Sequence, residues 1–324
     1  MKALVTGANG FSGSHLVRAL LERGHDVVGL VRTSSNCERL QTLPLTLAYG
    51  DICDSDALAR AMEGVDVIFH LAAMVDLGVV NDVEMERVNV QGTRTVIEAA
   101  IARPTPPKLV YCSTIGVLGD TAGAVVDETH VRQQQEFSSA YDRTKYDAQA
   151  LVDAAARGLW VASALPSGIF GADDPHFGPV LKLFLSGRLK LWPGGDRITG
   201  IVHVDDLADA LIRIAEQGRS GERYILSAGE RSLREMFELM SKNTDIPAPA
   251  EAPRWLMRVL GHLLTPMGRL LNWNPPISRE RVHYIYDRCV RVDGTKARRE
   301  LGWQPRSIES TLSEIVRQLQ AATG

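Results

Sequence analysis

Apolar positions along the chain follow two alternating rhythms. Short apolar runs, each bounded by glycine or charge, read as buried strands at 2–6 (KALVT), 25–31, 45–48, 66–70 (DVIFH), 108–113 (KLVYCS) and 159–165. Between them apolar residues recur at helical spacing. Over 14–23 they are Leu16, Val17, Leu20 and Leu21, closed by Gly24. The same pattern predicts helices over 55–62, 84–102 and 139–157, with Pro104, Pro106 and Pro107 stopping the one at 84–102. Strands separated by helices of this length predict an α/β fold with a doubly wound parallel sheet.

After Pro166 the pattern loosens, and Pro175, Pro179, Pro193, Gly194 and Gly195 punctuate short helices. A strand at 201–204 and a helix at 205–217 return to the earlier rhythm. Residues 222–306 are poor in strand signals, and a final helix is predicted over 307–321. The chain therefore divides into a core at 1–165, joined by the returning strand and helix near 200–217. A smaller, interleaved C-terminal lobe at 166–324 is the expected place for a substrate. Within that lobe the stretch from Arg254 to Leu264, continued by Met267 to Trp273, is apolar with interspersed Arg258, His262 and Arg269. An interfacial helix or a pocket lid would carry this pattern. The commoner source is a helix facing its own core, kinked here at Pro266, and that reading is adopted.

Composition narrows the field. With 324 residues, 45% hydrophobic and 23% charged, the chain can bury a sizeable core. A net charge of −3 speaks against a nucleic-acid partner held by general electrostatics. Cys37, Cys53, Cys112 and Cys289 are scattered without metal-ligand spacing, so free thiols, no metal and a reducing compartment are expected. No apolar run is long enough to span a bilayer, and a strand starting at residue 2 leaves no place for a signal peptide. The expected location is cytoplasmic.

Two short motifs carry the chemistry. In TGANGFSG, residues 6–13, Gly7, Gly10 and Gly13 sit between the first strand and the first helix. Glycine costs about 1 kcal/mol against alanine in a helix, so something must compensate. At a strand-to-helix turn, absent side chains let a pyrophosphate approach the backbone, and the helix N-terminus offers N–H groups and a positive dipole end. A dinucleotide fits that description. In YDRTK, Tyr141 and Lys145 stand one helical turn apart on one face. Ionising a tyrosine at pH 7 costs about 4 kcal/mol, and an ammonium about 4 Å away returns a similar amount at an effective dielectric of 20. Such a phenol can exchange a proton with a ketone or alcohol oxygen. Ser113 and Thr114 end the fifth strand and offer the hydroxyl that such a site needs; periodicity does not decide between them.

Together with HLAA at 70–73, NVQGT at 89–93 and CSTIGVLG at 112–119, these motifs resemble the extended short-chain dehydrogenases/reductases. DGTKARRELGW at 293–303 resembles that family's C-terminal signature. The nearest flavour is the 3β-hydroxysteroid dehydrogenase and dihydroflavonol reductase branch of the NAD-dependent epimerases/dehydratases. The resemblance implies a Rossmann-type sheet and an NAD(P)-dependent enzyme interconverting a ketone and a secondary alcohol on a small apolar or mixed substrate. Tyr141 would be the acid/base, Lys145 a ligand of the nicotinamide ribose, and Thr114 the catalytic hydroxyl, with Ser113 its neighbour. The cofactor would touch Gly7, Asn9, Gly10, Phe11, Ser12 and Gly13 at the turn, and Asp51 and Ile52 at the adenine. Leu71, Ala72 and Ala73 would run along its ribose–phosphate side, with Pro166 and Ile169 near the nicotinamide amide. A homodimer through the helices at 84–102 and 139–157 is also implied.

Departures from the family pattern sharpen this. Sugar-nucleotide 4,6-dehydratases follow the catalytic Thr with Asp-Glu, where this chain has Ile115-Gly116, so dehydration is not expected. Nucleotide-sugar enzymes carry Arg-Asp where this chain has Thr199-Gly200, with Arg197 as the available substitute. The lobe is therefore expected to be lined mainly by apolar residues, helped by the stretch after 254, without a diphosphate-clamping arginine pair. A nucleotide-sugar epimerase with tightly bound NAD is the alternative, and a non-catalytic NADP sensor a third. The second strand ends Arg32-Thr33-Ser34-Ser35, with no acid until Glu38, whereas NAD-specific sites place Asp or Glu there. Arg32 and Ser34 suit a 2′-phosphate, which favours NADP over NAD; Arg32 stacking on adenine would admit both.

Overall fold

The computed structural model describes residues 1–78 and 81–322. Its strands of three residues or more are β1 (Lys2–Thr6), β2 (Asp26–Val31), β3 (Thr46–Tyr49), β4 (Val67–His70), β5 (Lys108–Cys112), β6 (Val161–Pro166), β7 (Gly168–Phe170), β8 (Ile198–His203), β9 (Arg223–Leu226) and β10 (Gly229–Ser232). Seven of them form one parallel sheet in the order β9-β6-β5-β4-β1-β2-β3. The winding reverses between β1 and β4, and the crevice at the carboxyl ends of those strands is where such sheets take ligands. A second sheet, β10-β8-β7, stands beside it.

Helices cover both faces. α1 (Phe11–Glu22) and α7 (Val204–Gln217) pack together on one side, burying Leu16, Val17, Leu20, Leu207 and Leu211. On the other, α2 (Ser55–Ala61), α4 (Gly92–Ile101) and α5 (Ala140–Ala155) bury Leu58, Val96, Ile97, Ala148 and Val152. α3 (Val83–Glu86) enters α4 through a π-helical turn, Arg87–Gln91, where a single helix was expected. Asn89 on that turn explains it. Its amide accepts from Met74 N and donates to Met74 O and to Thr144 Oγ1 on α5, so the widened turn ties a loop to two helices.

The C-terminal part holds α6 (Gly178–Leu185), α8 (Leu233–Lys242), α9 (Arg254–Leu271), α10 (Arg279–Tyr286), α11 (Thr295–Leu301) and α12 (Ile308–Ala321). Two expectations are corrected here. The strand-poor stretch contains β9, the edge strand of the main sheet beside β6. α9, which runs as one helix through Pro266, turns its apolar side outward: Gly261 and Gly268 are its buried residues, while Trp255, Val259, Leu263, Met267, Leu270 and Leu271 are exposed. Trp303 is buried against α7, its indole donating to Asp206 O at 2.9 Å, so the end of the chain is locked onto the core.

Candidate functional site

At the end of β1 the chain turns at Gly7 with φ +70°, and a Cβ there would meet Ala72 Cα at 2.9 Å. A Cβ on Gly13 would sit on the Gly7 carbonyl oxygen. Only glycine fits at either place. α1 follows with Gly10 as its N-cap, no side chain capping the first turn and no acid within it. Its opening N–H groups and dipole thus face the crevice, a cradle fit for a pyrophosphate.

On one side of this turn lies a cleft of about 550 Å³ lined by Asn9, Arg32, Asp51, Ile52 and Ala72. Glu84, Val88 and Met74 also line it; sequence reasoning missed them, because a helix pattern does not tell which end of a helix overhangs a groove. Asp51 accepts from Cys53 N at 2.9 Å and from both Arg87 terminal nitrogens at 2.8 and 3.1 Å. Those bonds, the Arg87 pair first, hold its carboxyl down at about 2. Arg32 is exposed at the rim, and Ser34 stands outside the cleft wall, where Ser35 takes its place.

On the other side is a pocket of about 800 Å³. Phe11, Ser12, Gly13, Ser113, Thr114, Tyr141, Pro166 and Ile169 all line it, and it meets the first cleft at Gly7, Gly10, Leu71 and Ala73. Through those shared residues the two make one continuous groove. Thr114 caps a short 3-10 turn, its Oγ1 accepting from Gly116 N at 3.1 Å. Ser113 Oγ is buried with no hydrogen-bond partner among the described residues. Lys145 is buried, donating to Cys112 O at 2.8 Å and lying 4.3 Å from the Tyr111 ring. The expected pull of Lys145 on the Tyr141 phenol is not what this geometry gives. Burial raises Tyr141 well above the ordinary tyrosine range, with Cys112 and Asp142 adding to it, and burial lowers Lys145 to about 8. The ammonium is satisfied by a strand-end carbonyl instead.

The pocket's far wall corrects a second expectation. It is mixed rather than mainly apolar: Val75, Leu77, Ile115, Ile198 and Val290 share it with Arg197, Arg281, Tyr284 and Arg288, and no residue of α9 reaches it. Arg197 and Arg288 lie 4.3 and 4.6 Å from the Tyr284 ring centre. Burial would raise the Tyr284 phenol, but the two guanidiniums outweigh it and hold it below its usual range. Arg288 also pairs with buried Asp142 at 3.2 Å. The one hint in the sequence was the i, i+4 spacing of Tyr284 and Arg288.

Under the pocket His70 links β4 to its neighbours. Thr93 donates to Asn89 O at 2.6 Å, so its Oγ1 accepts from His70 Nε2 at 2.9 Å. Nδ1 then accepts from Thr6 at 2.8 Å, and Thr6 Oγ1 accepts Ala72 N at 3.2 Å. Through Thr6 this neutral imidazole helps hold the backbone at Ala72, which lines the cleft.

The family model for NAD dependent epimerases/dehydratases matches residues 3–227. The chain is 33% identical over 325 residues to a 4-hydroxy-2-methyl-3-oxo-4-farnesyl-3,4-dihydroquinoline-1-oxide ketoreductase of Stigmatella aurantiaca, covering 98% of this chain and 96% of that one. It is 29% identical to a 3-beta-hydroxysteroid dehydrogenase of Mycolicibacterium neoaurum, covering 94% and 87%. A dTDP-glucose 4,6-dehydratase of Streptomyces venezuelae, solved with NAD bound, superposes with a TM-score of 0.80 at 25% identity, covering 99% and 97%. The glycine turn, the seven-stranded sheet and these likenesses converge: the chain is an enzyme that belongs to the NAD-dependent epimerase/dehydratase family, in the extended short-chain dehydrogenase/reductase branch.

Proposed function

We propose that this enzyme interconverts a ketone and a secondary alcohol on a small apolar or mixed substrate, with NADP(H) preferred over NAD(H). The reading rests on one observation: Tyr141, Ser113 and Thr114 line the same pocket as the glycine turn. Gly7, Asn9, Gly10, Phe11, Ser12, Gly13, Asp51, Ile52, Leu71, Ala72, Ala73, Pro166 and Ile169 would hold the dinucleotide, with Lys145 on the nicotinamide ribose. When bound, the nicotinamide supplies or takes the hydride. The protein's own part is the proton. Thr114 spends an acceptor lone pair on Gly116 N, which leaves its O–H to steer the substrate oxygen. Tyr141, kept protonated by burial, donates to that oxygen as a ketone is reduced. The named substrates of the ketoreductase and steroid relatives are largely apolar, in keeping with Val75, Leu77, Ile198 and Val290 on the wall. A homodimer through α4 and α5, which expose Ile101 and Tyr146, belongs to the same reading.

Dehydration does not suit this wall. Where sugar-nucleotide dehydratases carry Glu, a Cβ on Gly116 would meet Asp142 Oδ1 at 2.5 Å and Arg288 Nη2 at 3.0 Å. A nucleotide-sugar epimerase keeps one point in its favour, since Arg197 and Arg288 both face the pocket. Both are already engaged, Arg288 by Asp142 and Arg197 by the Tyr284 face. Incubation with NADPH and a ketone panel should give net cofactor consumption. Calorimetry with UDP and TDP should find no micromolar binding; such binding, without net turnover, would favour the epimerase.

A further inference from the structure

The least explained surface lies on α9. Trp255, Val259, Leu263 and Met267 follow one another every fourth residue, with Leu270 and Leu271 completing an apolar arc of about 160° at 3.6 residues per turn. Trp255 is 68% exposed, Leu263 59% and Leu270 86%. The opposite face is built for contact. A Cβ on Gly261 would meet Val282 Cγ2 at 3.0 Å and Ser278 O at 3.2 Å, and one on Gly268 would meet Trp273 O at 2.5 Å. The helix thus packs by Gly261 on α10 and by Gly268 on the segment at Trp273 and Pro275, and turns its large apolar side chains outward. Exposed apolar patches of this kind mark interaction sites.

Charge decides what the face meets. From Ala252 to Arg279 the sequence contains no Asp or Glu, while Arg254, Arg258, His262, Arg269 and Arg279 are all exposed. Arg254 and Arg258 share Asp287, at 2.9 and 2.7 Å. Arg269 and Arg279 have no ion-pair partner among the described residues. In helical projection Arg254, Arg258, His262 and Arg269 fall together along one margin of the apolar arc. Trp255 and Trp273 stand near its two ends, where amphipathic rings settle at headgroup level. No described helix is long and apolar enough to cross a membrane, so this one would lie along the surface. A second copy of the chain is a poor occupant, because a two-fold pairing would bring two acid-free cationic helices together.

We propose that α9 is an interfacial helix that docks the enzyme on an anionic lipid bilayer. α10, on which it packs, carries Tyr284 and Arg281 to the pocket wall, and Arg281 Nε reaches Leu77 O at 2.7 Å. One helix therefore separates the bilayer from the substrate pocket, an arrangement suited to a substrate partitioned into lipid.

Co-sedimentation of the whole enzyme with vesicles tests this. Wild type should pellet with vesicles of mixed phosphatidylcholine and phosphatidylglycerol, and far less with phosphatidylcholine alone or at high salt. The double variant Leu263→Glu/Leu270→Glu should lose affinity about tenfold or more while keeping its melting temperature and its turnover of a water-soluble ketone. Arg269→Glu/Arg279→Glu should lose the preference for the anionic lipid. Failure of wild type to pellet, or a double variant that pellets as well as wild type, would overturn the proposal. So would lipid-free light scattering in which mass grows with concentration and Leu263→Glu/Leu270→Glu abolishes the growth, since a second copy would then cover the face.

Discussion

On the proposed reading Tyr141 acts first as a proton donor, because burial raises its phenol above the ordinary tyrosine range. Tyr141→Phe should abolish turnover and leave dinucleotide affinity within a few-fold, because the ring and its packing remain. General acid–base catalysis is typically worth 10²–10⁴-fold, so a residual rate above about a tenth would remove Tyr141 from that role. Lys145→Met should impair turnover and affinity together, since on the proposed reading its ammonium, buried here on Cys112 O, is a ligand of the nicotinamide ribose. Thr114→Ala should cost more than Ser113→Ala; the reverse order, read from single-turnover rates, would hand the substrate oxygen to the partnerless Ser113 hydroxyl. At this scale the glycine turn and the place of Tyr141 in the pocket were legible because each motif is local, whereas the expected pull of Lys145 on Tyr141 was not, since Cys112 O takes the ammonium. The Asp142–Arg288 pair was not, since its members stand far apart in sequence and meet only when α5 and the segment after α10 close on Gly116.

Elements were legible in kind and less so in orientation. The strands β1 to β6 came from short apolar runs alternating with helical patterns, and β9 was missed because RYIL lies where that alternation has lapsed. The period of α9 gave an apolar face without saying on which side the rest of the protein stands. The π turn was invisible because it is set by what Asn89 reaches, namely Met74 and Thr144. The His70 bridge between β1, β4 and α4 has a measurable signature. Burial, then Lys145, depresses the imidazole from its ordinary 6.5 to about 3. Between those values the unfolded chain binds the proton and the folded one does not, so this bridge contributes stability that is lost as pH falls from 6.5 toward 3. Unfolding free energies from urea titrations across that window should fall more steeply for wild type than for His70→Gln, by at most about 1.4 kcal/mol per pH unit. Parallel curves would mean that His70 titrates alike in both states.

At the scale of the whole molecule, the C-terminal half does not stand apart. β9 is part of the main sheet, Trp303 is buried on α7, and Arg306 pairs with Asp206 at 3.1 Å. A chain woven in this way should unfold in one calorimetric transition, and ligands of the groove should shift that transition as a whole. The groove joins Arg32, at the end of β2, to Arg197 and Arg288 beyond the sheet, so a dinucleotide and substrate together would touch both halves. On the proposed reading Arg32 decides which dinucleotide shifts it more. Its guanidinium is exposed at the rim with no ion-pair partner among the described residues, and a charge-assisted contact to a 2′-phosphate is worth about 1.5–3 kcal/mol. Glu84 also lines the cleft, but Arg87 engages it at 2.8 Å, so it is poorly placed to repel that phosphate. A tenfold preference corresponds to about 1.4 kcal/mol, so at equal saturating concentrations NADP⁺ should raise the melting temperature about 2–3 °C more than NAD⁺. Arg32→Asp should reverse the order by restoring an acid where NAD-specific sites carry one. Equal shifts in wild type would leave Arg32 stacking on adenine and admitting both cofactors, and two separate transitions would show that the halves are not one cooperative unit.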